Sequence, residues 1–251
     1  MNILITNDDS IHAPGLKSLI DSASGFGNIT VVAPTEPQSG QSSAITVGRP
    51  LRIYQLKDYN NASMFSVNGT PVDCVKLALH TICEKKPDLI LSGINHGSNS
   101  GNAIIYSGTM GAVLEGCMNN IPSIGFSLLD NSLDADFSLS SNFITKIIAK
   151  VVKTGFPDYV ALNVNIPAKI YPRGIRVCRA ARGYWTEEYA RYNDPIGKPF
   201  YMLTGRFINI ESHAEDTDEF FLSKEYISVV PVSPDMTDKS IIDEVSFLEK
   251  P

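Results

Sequence analysis

Short apolar runs alternate with segments of helical periodicity through the first two thirds of the chain, and this alternation limits the fold more than any other feature. The runs have the length and composition of buried strands. They are NILIT (2–6), NITVVAP (28–34), DLILSG (88–93), IPSIGFSL (121–128) and YVALNVNIP (159–167). Strands that alternate with helices in this way form βαβ units, so the sequence predicts an α/β fold with a mostly parallel sheet and helices on both faces.

Two of the intervening segments have clear helix boundaries. TPVDCVKLALHTIC (70–83) begins with Thr70 as the N-cap and Pro71 at the first helical position, and Asp73 follows near the positive end of the helix dipole. The longer segment SLSSNFITKIIAKVVKTG (138–155) ends at Gly155, a residue that commonly closes a helix. Both segments are therefore predicted to be helices.

The pattern changes after Pro167. IRVCRAARGYW (175–185) and FYMLTGRF (200–207) are predicted to be the strands of a hairpin, with turn residues at 194–197 between them. TDEFFLSKEYISVVPVS (217–233) is predicted to be a short helix followed by a strand. We therefore expect a Rossmann-like core over residues 1–167 and a smaller mixed region with a protruding β-hairpin over residues 168–251.

The charge balance limits the choice of partners. The chain has 21 basic and 27 acidic residues, a net charge of -6, which argues against binding a nucleic acid polymer. Small anionic ligands remain open, because a local site can be positive on an acidic protein. The sequence begins with a strand instead of a basic leader and contains no apolar stretch long enough to span a bilayer. We expect a cytoplasmic protein without a membrane partner.

Several common catalytic and binding motifs are absent from the sequence. It contains no P-loop, no dinucleotide-binding glycine pattern after the first strand and no nucleophile elbow. The four cysteines lack C-x-x-C spacing and the four histidines lack zinc-ligand spacing, so reduced structural thiols are expected and zinc is not. An aspartyl-phosphate phosphatase would have D-x-D after the first strand, whereas Asp8 and Asp9 are adjacent here.

Polar residues follow the predicted strands where the strands end. In a parallel sheet these carboxyl ends meet at one rim, which is where ligands bind. The polar segments are TNDDS (6–10), PTEPQSGQSS (34–43), NGTP (68–71) and SGINHGSNSGNAIIYSGT (92–109). Their carboxylate, amide and hydroxyl oxygens are ligands for a hard cation such as Mg²⁺ or Mn²⁺, which would offset the repulsion between Asp8 and Asp9. The alternative interpretation of the aspartate pair is a solvated loop or a helix cap.

The segment Ser107-Gly108-Thr109 lies just before a predicted helix. Backbone N–H groups at a helix N-terminus, with hydroxyls beside them and a glycine that permits close approach, are suited to binding phosphate. A simple Ser/Thr helix cap is the alternative, and both roles are compatible. His12 and His96 also fall on the predicted rim, where an acid, base or binding role stays open.

Five motifs occur in an order that resembles the SurE family of survival protein E, which are metal-dependent 5'/3'-nucleotidases. They are NILITNDDSIHAPG, VVAPTEPQSGQSSAIT, VNGTPVDCV, DLILSGINHGSNSG and YSGTMGAVLEG. Later segments, DPIGKPFY and YISVVPVSPDMTD, extend the resemblance almost to the end of the chain.

The resemblance implies a Rossmann-like core that binds one divalent metal ion, Mg²⁺ or Mn²⁺, per subunit. It implies that the metal ligands are Asp8, Asp9, Ser39 and Asn95, of which Asp8, Asp9 and Asn95 are also catalytic. It implies that the phosphate-binding residues are Asn99, Ser107, Gly108 and Thr109. The implied substrates are nucleoside 5'- and 3'-monophosphates, with short polyphosphate as a further class, and the implied assembly is a homodimer or homotetramer with exchanged C-terminal segments.

We expect hydrolysis of a phosphomonoester by water, with the donors at 107–109 stabilising the developing negative charge. A covalent aspartyl intermediate at Asp8 is the mechanistic alternative. A different class of function is a non-catalytic module that binds nucleotides at the same rim. The adjacent carboxylates argue against that module, because they would repel a phosphate unless a metal intervened.

Overall fold

A computed structural model describes residues 1–132 and 134–249 and contains one large sheet and two small ones. The strands are β1 Asn2–Thr6, β2 Asn28–Pro34, β3 Ile53–Gln55, β4 Ser63–Val67, β5 Leu89–His96, β6 Ser123–Leu128, β7 Ala161–Ile166, β8 Ile175–Val177, β9 Gly183–Thr186, β10 Tyr189–Asn193, β11 Pro199–Leu203, β12 Arg206–Asn209 and β13 Ile227–Val232. The α-helices are α1 Pro14–Ala23, α2 Pro71–Leu77, α3 Gly108–Met118, α4 Ser138–Thr154, α5 Asp218–Ser223 and α6 Ile242–Val245.

The large sheet has nine strands in the order β3-β4-β2-β1-β5-β6-β7-β13-β8. All pairs from β4 through β7 are parallel, whereas β3 pairs antiparallel with β4 at one end and β13 pairs antiparallel with β7 near the other. The predicted α/β fold with a mostly parallel sheet is confirmed. The carboxyl ends of β1, β2 and β5 therefore lie side by side at one rim.

Strand β1 shows how the sheet separates two hydrophobic cores. Ile3 and Ile5 are buried in a core with apolar side chains of α1 and α4. Leu4, which points to the opposite face, is buried in a second core with residues of α2 and α3. Because both faces of the sheet are covered, β1 buries apolar side chains on both faces instead of alternating apolar with polar residues.

The predicted helix boundaries agree with the structure at two ends. Thr70 caps α2 in a capping box, in which its side chain accepts from Asp73 N and the Asp73 side chain accepts from Thr70 N. Gly155 ends α4 with φ at 84°, a conformation that favours glycine. The segment 70–83 is not one regular α-helix, however, because α2 ends at Leu77 and a wider, π-type turn follows over Ala78–Ile82.

The region after residue 167 contributes to the large sheet and also forms two small antiparallel pairs. Strands β8 and β13 extend the large sheet beyond β7, so the sheet crosses the predicted boundary. The predicted turn at 194–197 joins β10 to β11, and β9 pairs with β12. The prediction that 175–185 forms the first strand of this hairpin is therefore wrong, since Pro199–Leu203 pairs with Tyr189–Asn193.

Large apolar side chains are exposed on β11 and in the C-terminal segment. Leu203 and Leu248 are each 74% exposed, and Phe247 is 63% exposed. Within the described ranges, no helix combines the length and the apolar character needed to cross a membrane. The four cysteines all lie in these ranges and are free thiols.

Candidate active site

The rim of the sheet brings together residues from three parts of the sequence. Asp8 and Asp9 follow β1, and Asn95 lies near the end of β5, whose Ser92 pairs with Thr6 of β1. The first turn of α3 packs against Asp8, since a Cβ atom at Gly108 would stand 2.8 Å from Asp8 Cβ. The predicted convergence of the strand ends is thus present in the fold.

Asp8 is the most buried carboxylate of this group, with 3% of its surface exposed. Its Oδ1 accepts a hydrogen bond from the Thr109 hydroxyl at 2.5 Å. Burial and, to a lesser extent, the negative charge of Asp9 raise the pKa of Asp8 to about 6, although hydrogen bonds from Thr109 oppose the rise. Asp8 is therefore a carboxylate whose charged form is poorly compensated by the protein.

Asp9 is more accessible and contacts His96. Its Oδ2 accepts from the backbone N–H of His96 at 3.1 Å and lies 3.3 Å from the ring Nδ1 of the same residue. Throughout residues 1–132 and 134–249, no Lys or Arg nitrogen lies within 4.0 Å of either aspartate. Among the described residues, the imidazole of His96 is therefore the only basic side chain within 4.0 Å of the two carboxylates.

Asn95 and the loop of residue 39 add further oxygen atoms. The Nδ2 of Asn95 donates to the carbonyl oxygens of His96 and Gly97 at 3.2 and 2.9 Å, which leaves Oδ1 as the atom for a ligand. The exposed Ser39 lies next to Gln38, whose backbone N–H donates to the Asp8 carbonyl at 2.7 Å. The structure therefore anchors the Ser39 loop to the backbone of the aspartate loop.

This donor set suits a hard divalent cation. Carboxylate, amide and hydroxyl oxygens are the ligands that Mg²⁺ and Mn²⁺ take, and a cation would offset the charge of two carboxylates that have no Lys or Arg nitrogen within 4.0 Å among the described residues. No group of three or more His, Cys, Asp or Glu residues with metal-binding geometry exists in the described part of the chain. The predicted ligand set contains only two such residues, Asp8 and Asp9, because its other two members are Asn95 and Ser39.

The predicted phosphate segment forms the start of α3. Ser107 is the N-cap, and its Oγ accepts from Met110 N at 3.1 Å, so its capping role is present in the structure. Thr109 is fully buried and its hydroxyl donates to Asp8, which orients the carboxylate. Phosphate binding by these two side chains stays a prediction. The first backbone N–H groups of α3 lack intrahelical acceptors and are the donors best suited to an anion.

Asn99 lies in a buried hydrogen-bond network. Its backbone N–H donates to Asn165 Oδ1 and its Nδ2 donates to Ser127 Oγ, both at 2.8 Å. Asn163 Nδ2 donates to the Asn99 carbonyl, also at 2.8 Å. Asn163, Asn165 and Ser127 have no exposed surface, so this buried network holds Asn99 in one position at the edge of the sheet.

Several residues that position the site are not among those predicted from the sequence. Asn163 and Asn165 lie two apart in β7, so both face the same side of the sheet, and two asparagines in a buried strand are the signal that would have found them. Asp218 belongs to the pair TD (217–218), which resembles a later segment of the SurE family, but no role was predicted for it from the sequence. It is fully buried and accepts from Gly101 N and Ala181 N at 2.8 Å each, which ties the 92–109 loop to the C-terminal region.

Comparison with known proteins identifies the family of the chain. The family model described as "Survival protein SurE" matches residues 3–187. The chain belongs to the SurE family. A relative named "5'-nucleotidase SurE" from Flavobacterium psychrophilum is 49% identical over 94% of this SurE chain and 92% of its own length. The protein of the same name from Christiangramia forsetii is 48% identical over 97% of this chain and 95% of its own.

A solved structure supports the same assignment for the fold. The crystal structure titled as the SurE protein from Aquifex aeolicus superposes with a TM-score of 0.84 at 36% sequence identity. The match covers 99% of this chain and 100% of the other. The likeness in fold therefore extends over almost the whole of both chains.

Proposed function

We propose that this chain is a divalent-metal-dependent phosphomonoesterase that hydrolyses nucleoside 5'- and 3'-monophosphates to nucleoside and phosphate, with short polyphosphate as a further substrate class. The observation that supports this most directly is the contact between Asp8 and the N-terminus of α3. A pair of carboxylates and a set of phosphate-binding N–H groups are brought together there. These are complementary to a cation and to a phosphate, respectively.

Asp8, Asp9, Asn95 and Ser39 would hold Mg²⁺ or Mn²⁺. When bound, such a cation neutralises phosphate charge and lowers the pKa of coordinated water. A phosphate placed beside two uncompensated carboxylates would otherwise be repelled. Asp8 and Asp9 would thus repel a phosphate that arrives without a cation and admit a phosphate when a divalent metal is bound.

The other residues of the site bind and orient the phosphate. The N–H groups at the start of α3 face the charge that develops on the phosphoryl oxygens, and Ser107 keeps that helix start in place by capping it. Asn99 is held by the buried asparagines of β7 through hydrogen bonds to its backbone N–H and its carbonyl oxygen. These groups need no reorganisation during the reaction, which is the condition for electrostatic stabilisation of a transition state.

The burial of Asp8 supports water as the nucleophile. One of its oxygens accepts from Thr109, and the other lies against Gly108. A carboxylate held on both sides cannot easily approach phosphorus in line. A substrate with a labelled phosphoryl group, quenched during turnover, should leave no label on the protein, whereas a labelled phosphoryl group trapped on Asp8 would establish the covalent alternative.

Phosphate release from nucleoside 5'- and 3'-monophosphates, measured with and without a chelator, tests the proposed function. We expect release with Mg²⁺ or Mn²⁺ and none in the chelator, and we expect no cleavage of a phosphodiester, which lacks the dianionic group. Saturable nucleotide binding without phosphate release in the presence of either metal would instead identify a non-catalytic binding module.

The exposed apolar residues of the hairpin and the C-terminal segment support assembly into a homodimer or homotetramer through exchanged C-terminal segments. Leu203, Phe247 and Leu248 are exposed in the single chain, and burying them against another subunit removes apolar surface from water. Light scattering at micromolar concentration should give the molar mass of an oligomer, and deletion of residues 235–251 should reduce the number of chains per particle. A molar mass that corresponds to a single chain both before and after the deletion would contradict this.

A further inference from the structure

Asp9, one of the proposed metal ligands, is held by two donors of a single residue. His96 donates its backbone N–H to Asp9 Oδ2 at 3.1 Å, and its ring Nδ1 lies 3.3 Å from the same oxygen. An ionised carboxylate only accepts hydrogen bonds, so Nδ1 carries the proton of the ring in this contact. In the ranges 1–132 and 134–249, no hydrogen bond reaches Asp9 Oδ1, which leaves that oxygen for another ligand.

The ring of His96 has a fixed position because Phe137 packs against it. The two ring centroids are 5.0 Å apart and the ring planes are nearly perpendicular, at 82°, which is a favourable arrangement for aromatic pairs. Phe137 is 6% exposed and belongs to the core that contains α1 and α4. It also reaches the start of α1, since a Cβ atom at Gly15 would stand 3.2 Å from Phe137 Cε1. The imidazole is therefore attached to the hydrophobic core.

The backbone of His96 is attached to the sheet as well. His96 pairs with Leu128 of β6, and Gly97 N donates to the Leu128 carbonyl at 2.9 Å. Asn95, which lies just before His96, donates from its Nδ2 to the His96 and Gly97 carbonyls. One segment at the end of β5 thus contains a proposed metal ligand, Asn95, and the donors that restrain a second proposed ligand, Asp9.

We infer that His96 is a positioning residue for the divalent metal, which orients the Asp9 carboxylate by binding Oδ2 and leaving Oδ1 for the cation. The inference rests on the proposed function, because it assigns a role toward the metal of that site. Nδ1 itself is not a ligand in this arrangement, since a nitrogen that carries a proton has no lone pair for a metal. A carboxylate without this restraint would lose rotational freedom on binding the cation, which lowers the affinity.

His96→Asn and His96→Leu separate the hydrogen bond of the side chain from its packing. The two new side chains are similar in size and shorter than the imidazole, so both lose a similar part of the contact with Phe137. The Nδ2 of asparagine stands as many bonds from Cβ as the Nδ1 of histidine and is a donor, whereas leucine has none. The backbone donor to Asp9 is present in both variants. A difference between them therefore reports the hydrogen bond from the side chain.

Binding of Mn²⁺, measured from the electron paramagnetic resonance of the unbound ion, needs neither turnover nor a nucleotide. We expect His96→Leu to raise the dissociation constant about 10- to 100-fold, the usual effect of removing an outer partner of a metal ligand, and His96→Asn to restore most of the affinity. His80→Leu, which removes an exposed imidazole from the turn after α2, is the control and should bind as the parent does. Melting temperatures in chelator show that each variant is folded.

The outcomes distinguish this inference from the proposed function. Equal Mn²⁺ affinity in the parent, His96→Leu and His96→Asn would overturn the inference and leave the proposed function standing. Equal losses in the two folded variants would also overturn it, because the ring would then serve only to pack against Phe137. A parent protein that binds neither Mn²⁺ nor Mg²⁺ would overturn the proposed function and the inference together. Weak binding by His96→Leu with binding close to that of the parent by His96→Asn would establish the side-chain donor as the group that positions Asp9.

Discussion

Replacing Asp9 with asparagine is expected to lower metal-dependent hydrolysis at least about 100-fold, because even residues that only orient metal ligands are worth 10- to 100-fold. The substitution preserves the shape of the side chain and removes one of the two negative charges that face the cation. Asn95 and Ser39 are neutral, so half of the formal charge of the proposed ligand set is lost. Metal affinity should fall together with the rate.

The same substitution should leave the metal-free protein as stable as the parent, or more stable. Asp8 has its pKa raised from 3.8 to about 6, first by burial and then by Asp9. The folded protein thus binds this proton more tightly than the unfolded chain, so the free energy of unfolding falls as pH rises through this interval and stays lower above it. Removing the Asp9 charge reduces that loss, and the difference between variant and parent should shrink toward pH 4.

Thermal melts with and without excess Mn²⁺ measure both effects. At a metal concentration 100 times the dissociation constant, the parent should gain about 2.7 kcal/mol, which corresponds to a rise in Tm of roughly 5 to 10 °C for a chain of this size. Asp9→Asn should show a much smaller rise. Asp58→Asn, which removes a charge from an exposed loop, is the control and should behave as the parent. Full activity in chelator, or equal metal-induced shifts in all three proteins, would show that Asp9 does not bind the cation.

The parallel core could be predicted from the sequence because its signals are local and repeated. Each central strand is an apolar run, and α2 begins with a capping box whose residues all lie within four positions. The pairing among the four strands β9, β10, β11 and β12 could not be predicted in the same way. These four strands are short and largely exposed, so their sequences show no clear alternation of buried and exposed residues. Which strands pair therefore depends on tertiary contacts such as that of Phe207 with Gly101.

Some features of the candidate site could likewise be predicted from the sequence, and others could not. That Asp8, Asp9 and Asn95 would share a rim follows from parallel topology, since residues just beyond strand ends converge. The use of Thr109 as a donor to Asp8 could not be predicted, because the contact joins residues 101 positions apart and its direction depends on how α3 approaches β1. The sequence therefore predicts that these residues meet at one rim, whereas the hydrogen bonds that support them are visible only in the packed structure.

Gly108→Ala is expected to lower kcat/KM by about 100-fold while changing stability little. The added Cβ would lie 2.8 Å from Asp8 Cβ and 2.9 Å from its Oδ2, closer than such atoms approach in proteins. Asp8 is buried and bonded to Thr109, so it cannot yield without moving its carboxylate relative to the start of α3. A displacement of about 1 Å in a catalytic group is enough for a 100-fold loss of rate.

Stability distinguishes this effect from general damage to the fold. Alanine favours a helical conformation over glycine by up to about 1 kcal/mol, which opposes the cost of the contact with Asp8. Gly25→Ala is the matched control, because it lies in another helical turn with no atom within 4 Å of the new Cβ, and it should leave the rate unchanged. If Gly108 served only to begin α3, alanine there would raise the melting temperature and preserve the activity. A slow enzyme with a near-normal melting temperature and weaker Mn²⁺ binding would instead mean that the glycine is required for the close approach of α3 to the Asp8 carboxylate.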